Sequence, residues 1–104
     1  MSVEDFRINA YVRQVLTRCW VDSNSLRYGA VGRIVYFHGR FEKFRPPARD
    51  DGLNGRSRHE ELAEDVALLA RVEKEIRREN LVVDVVFRLE NFRKAQGKWT
   101  TTGA

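Results

Sequence analysis

The chain has 104 residues, 42% apolar and 33% charged, with a net charge of +4, a water-soluble composition suited to one domain with a modest core. Its single cysteine, Cys19, excludes an intramolecular disulfide and a thiolate metal cluster within one chain. The opening MSVEDFR lacks the basic start and apolar run of a signal peptide, and no apolar run approaches the roughly 20 residues of a membrane-spanning helix, so a cytoplasmic protein is expected.

Residues 2–19 read as a helix. Ser2 with Asp5 three positions on has the form of a capping box. Ile8, Tyr11, Val12, Val15 and Cys19 fall on one stripe at steps of three and four, with Phe6 and Leu16 at its edges. On that stripe Cys19 is expected to be a small buried hydrophobe. The run Asp22-Ser23-Asn24-Ser25 favours local backbone hydrogen bonds and ends the helix.

Leu26 to Phe41 reads as two strands folded back at Gly32. Apolar residues recur at every other position on both sides of that glycine. After it two faces are available: Ile34, Tyr36 and His38, or Val35, Phe37 and Phe41. Both are apolar enough to be buried.

Residues 42–58 form a long loop, because Pro46-Pro47 cannot continue a ladder and Asp51-Gly52 and Asn54-Gly55 are turn pairs. Residues 27–58 carry eight bases against three acids, a local +5 that exceeds the net charge of the chain. Arg45, Arg49, Arg56 and Arg58 are therefore candidates for contact with phosphate or carboxylate, which arginine makes in a planar, bidentate way.

A second helix starts at Ser57, with Glu60 completing a capping box. Leu62, Val66, Leu69, Val72 and Ile76 make its apolar stripe, and Asn80 is its expected stop. Residues 81–89, LVVDVVFRL, have the length and β-branched content of a strand. Its expected inner face is Val83, Val85, Phe87 and Leu89. The remainder has no sustained period and reads as a frayed tail in which Phe92 or Trp99 can dock. The order αββαβ predicts an α+β domain over residues 1–92, including the loop 42–58, and a tail over 93–104. Its three-stranded mixed sheet is expected to carry two helices packed on one face.

These spacings resemble the BON domain, a small module of bacterial osmotic-shock and nodulation proteins. Its opening helix carries Asp and then apolar residues at the intervals of Asp5, Ile8, Val12 and Leu16. Its hairpin has the spacing of Leu26, Tyr28, Val35, Phe37, Gly39 and Phe41. The match covers roughly residues 4–90. The loop 42–58, the sequence Arg78-Glu79-Asn80-Leu81 in place of a glycine-valine pair, and the single copy depart from the family pattern. The resemblance implies a non-catalytic module that attaches to phospholipid surfaces or assembles with other domains. It also puts Leu26, Tyr28, Val35, Phe37 and Phe41 on the core side, with Gly39 allowing close approach of a helix.

Arg27, Ile34, Tyr36, His38, Arg40, Val82, Val86 and Arg88 are then left on the outer sheet face, as an interaction patch. The two histidines stand 21 positions apart, and no nucleophile–base order, phosphate loop or metal spacing appears. No catalytic residue, cofactor or metal is expected. The expected function is assembly with another protein or with itself through the outer face, with attachment to an anionic membrane surface as a further mode. The alternative is nucleic-acid or other anion binding through the arginine-rich hairpin and loop.

Overall fold

The computed structural model describes residues 2–44 and 58–102. Helix α1 (Val3–Arg18) is followed by strands β1 (Leu26–Val31) and β2 (Ile34–Gly39), helix α2 (Arg58–Arg77), and strands β3 (Asp84–Leu89), β4 (Phe92–Ala95) and β5 (Lys98–Thr101). The first three strands form a mixed sheet in the order β1-β2-β3, antiparallel between β1 and β2 and parallel between β2 and β3. This is the predicted α+β arrangement, with both helices on one face of the sheet.

Each end of α1 is set by a specific device. The Ser2 hydroxyl accepts from the Asp5 N–H at 3.0 Å, which occupies one orphan donor of the first turn. At the other end Trp20 takes a left-handed φ of 58°. Its N–H bonds Thr17 O, and the Val21 N–H bonds Leu16 O. This is a Schellman closure, with buried Val21 and Leu16 as its apolar contact.

The core lies between the helices and the sheet. Ile8, Val12, Val15 and Leu16 of α1 meet Leu69, Val72 and Ile76 of α2 and Leu26, Ala30, Val35, Phe37, Phe41 and Val85 from the sheet side. Each fully buried side chain of this size contributes about 1.5–3 kcal/mol. Cys19 is buried and unpaired, as its place on the stripe predicts. Phe6, placed at the stripe's edge, is 67% exposed instead.

The hairpin turns at Gly32 and Arg33, both with positive φ (59° and 65°), the two-residue turn whose twist matches its strands. Asp5 fastens that turn to α1. Its carboxylate accepts from the Arg33 N–H at 2.8 Å and the Gly32 N–H at 3.2 Å. The Arg33 amide, followed by that of Gly32, holds the buried Asp5 carboxyl below its ordinary range. Gly39 has φ 111°, and a Cβ there would overlap Ser25 O. The close neighbour is therefore the start of β1, not a helix as the family spacing implies.

The C-terminal stretch departs most from expectation. Residues 92–101 form a hairpin, β4 against β5, closed by Gln96 and Gly97 at positive φ. Phe92 and Trp99 belong to the core. Trp99 meets Phe87 edge-on at 4.9 Å, and Phe87 stacks on Phe37 at 4.9 Å. The hairpin thus packs on the helix side of the sheet. Asn91, in the preceding turn, pairs with Phe41 as a strand would, its amide donating to Phe41 O at 2.8 Å and accepting from Phe41 N at 3.1 Å.

The last strand of the sheet starts later than predicted. Val83 is 64% exposed rather than in the core, and Val82 is half-buried against the core. The segment before Asp84 is taken up by the exit from α2, where the Val82 N–H bonds Glu79 O. The period of two does not extend back through it.

Candidate functional site

The pairing register arranges the outer sheet face in three cross-strand rows. Arg27, His38 and Arg88 form a basic row, all exposed. Gly29, Tyr36 and Val86 form the middle row, and Val31, Ile34 and Asp84 the third. Alternation fixes this face, since Val35, Phe37 and Val85 between these positions are buried on the other side. Ile34 and Val86 are half-buried, Tyr36 is 39% exposed and Val31 68% exposed.

Two predicted members of the patch are elsewhere. Val82 precedes β3 and packs against the core, because the chain is still leaving α2 there. Arg40 lies beyond the end of β2, where its guanidinium pairs with Glu42 at 3.4 Å. The remaining six, Arg27, Ile34, Tyr36, His38, Val86 and Arg88, share the face. Gly29, Val31 and Asp84 complete it. The signal for Gly29 and Val31 is the alternation of LRYGAV itself, which puts them on the side of Arg27.

Asp84 is the one acid in these rows, and it is engaged. Its Oδ1 accepts from the Val85 N–H at 2.8 Å and from Arg77 Nη1 at 3.0 Å. The Val85 amide and then the Arg77 guanidinium hold its carboxyl below the ordinary range. The middle row has no charge. Gly29 has open space where a side chain would stand, so one flank of the Tyr36 ring is left free of a neighbouring Cβ.

A second charged cluster sits behind the sheet and is structural. Glu73 of α2 is buried, and its carboxylate receives Lys94 Nζ at 2.9 Å, Arg77 Nε at 2.9 Å and Trp99 Nε1 at 3.2 Å. Burial alone would raise its pKa, but the Lys94 and Arg77 hydrogen bonds and that of Trp99 outweigh it and lower the value. Glu73 and Arg77 stand at the i,i+4 spacing of a helix, whereas Lys94 and Trp99 are distant in sequence and give no such signal.

Arg45, Arg49 and Arg56 lie outside the described residues, and of Arg58 only the backbone, at the start of α2, is described. Among the described residues no group of three or more His, Cys, Asp or Glu is placed to hold a metal ion, and no helix is long and apolar enough to cross a membrane. No protein-family model matches the chain, and neither does any curated protein or solved structure.

Proposed function

We propose that this protein is a non-catalytic assembly module that self-associates through the outer face of its three-stranded sheet. The observation that carries this reading is that α1, α2 and the β4–β5 hairpin all pack on the opposite face. Tyr36, Ile34 and Val86 are thereby left without cover from the described residues. The rows also favour a second copy as the occupant. Two such faces stacked about a two-fold axis parallel to the rows set the uncharged middle rows against each other and bring each Val31–Ile34–Asp84 row toward the other copy's Arg27–His38–Arg88 row. The BON-like spacing of α1 and the hairpin supports the same reading through the assembly role that the resemblance implies.

Size-exclusion chromatography with light scattering tests it. The wild type is expected to gain mass toward a dimer as concentration rises, and the double variant Tyr36→Glu/Val86→Glu to remain a folded monomer. A wild-type monomer at every concentration overturns the proposal. Retention of RNA or anionic vesicles at low salt, lost at raised salt, would instead favour binding through the arginines.

A further inference from the structure

The sheet has an edge that the outer-face reading does not use. Among the described residues strand β1 pairs with β2 alone. The Arg40 N–H bonds Ser25 O, so the odd-numbered residues of β1 point their backbone groups toward β2. The Ala30 N–H is turned the other way and is taken by Asn9 Oδ1 of α1 at 3.0 Å. Alternation along an antiparallel ladder then turns the N–H and C=O groups of Leu26 and Tyr28 outward as well. Neither of those N–H groups has a partner among the described residues.

Alongside this edge runs a groove of about 350 Å³ between β1 and α1. It is lined by Arg13, Leu16, Thr17, Val21, Ser23, Leu26 and Tyr28. Among the described residues Arg13 is its only charged lining residue, Thr17 and Ser23 contribute hydroxyls, and no carboxylate lines it. Asp22, next to Ser23, is turned to the Asn24 N–H at 3.0 Å. Arg27 is exposed on the other side of the same strand.

We infer that this edge is a strand-addition site for an extended, acidic peptide segment of a partner protein. Such a segment would take the outward groups of Leu26 and Tyr28 as main-chain hydrogen bonds. Its side chains alternate, so every second one enters the groove. There an Asp or Glu meets Arg13 and the hydroxyls of Thr17 and Ser23. Asn9 sets the far limit of the site, because it already occupies the next outward N–H. The β1 strand of a second copy does not fit. Helix α1 packs over β1, and pairing two β1 strands would bring the two α1 axes to about one strand spacing, ~4.8 Å. Packed helices need about 8–10 Å. A lone peptide strand carries no such helix.

The test uses the full ¹⁵N-labelled chain and two blocked synthetic peptides, one alternating Glu and Val and one alternating Lys and Val. With the Glu/Val peptide, the Leu26 and Tyr28 amide signals should shift most, and their hydrogen exchange should slow about tenfold or more. The amides of Phe87 and Leu89, on the opposite edge strand, should not respond. The exposed substitution Arg13→Glu should abolish the response to the Glu/Val peptide, and a folded Tyr36→Glu/Val86→Glu variant should retain it. No response at Leu26 and Tyr28, an equal response to the Lys/Val peptide, or a response unchanged by Arg13→Glu overturns the inference. Loss of the response in the outer-face variant also overturns it, by placing the binding on the face already proposed.

Discussion

The indole N–H of Trp99 donates to Oε1 of Glu73 at 3.2 Å, and the ring of Trp99 stands edge-on to Phe87. One side chain thus ties the C-terminal hairpin both to α2 and to the inner face of β3. Lys94, from the other strand of the hairpin, reaches the same carboxylate, with its Nζ 5.9 Å from the Trp99 ring centroid.

Trp99→Ala should therefore cost about 3–5 kcal/mol, the range for emptying a large buried aromatic site. Glu73→Gln keeps the shape and removes the charge that Lys94 and Arg77 share. It should cost less, about 1.5–3 kcal/mol. Urea denaturation followed by circular dichroism measures both. A Trp99→Ala protein as stable as wild type would show that the hairpin is not part of the cooperative core.

The two positive-φ glycines of the first hairpin should behave differently. At Gly39 a Cβ meets backbone, Ser25 O, in addition to the unfavourable φ of 111°. At Gly32 the φ of 59° is the only obstacle, since nothing lies within 4 Å. Gly32→Ala should cost about 1–2 kcal/mol, and Gly39→Ala more than that, because the strand cannot move without breaking the Arg40–Ser25 bond. The order of the two denaturation midpoints is the measurement.

Trp20 occupies the position after the α1 C-cap where glycine is usual, with its side chain 67% exposed. Trp20→Gly removes the left-handed penalty and little packing. It should stabilise the protein by about 0.5–1 kcal/mol, read as a rise in the thermal midpoint.

The elements legible in the sequence were those with room for a full period. The α1 stripe from Ile8 to Cys19, the hairpin alternation from Leu26 to Phe41 and the α2 stripe each contain enough repeats to fix a face. Strands β4 and β5 have four residues each, and each buries one side chain, Phe92 or Trp99. No alternation can be seen in so short a run, and Gln96-Gly97 is a weaker turn signal than Asn-Gly. Buried acids were hidden for another reason. Asp5 lies on the α1 stripe, three residues before Ile8, and Glu73 lies four after Leu69. Asp5 shows in the sequence only as a capping-box residue and Glu73 only as a helix neighbour of Arg77, because their other partners, the Gly32–Arg33 turn and the Lys94–Trp99 strand pair, are distant in sequence. The outer face was legible in six of its residues. Val82 was misplaced because nothing in LVVDVV marks where the helix exit ends and pairing begins.

These acids give the protein a definite acid response. Asp5, Glu73 and Asp84 all have folded-state pKa values below their ordinary 3.8, 4.5 and 3.8. A carboxyl depressed on folding adds stability that is complete above its unfolded value and is lost as pH falls through the folded one. The stability contributed by these groups should therefore be level above about pH 5 and decline progressively below the ordinary carboxylate values. Asp5→Asn isolates one contribution, since the amide keeps an acceptor for the hairpin turn and cannot titrate. Urea midpoints compared at about pH 6 and about pH 3 should fall less for Asp5→Asn than for wild type. The variant should be the less stable of the two at the higher pH. Equal falls in both proteins would mean that the carboxylate at the Gly32–Arg33 turn does not contribute to the acid sensitivity of the fold.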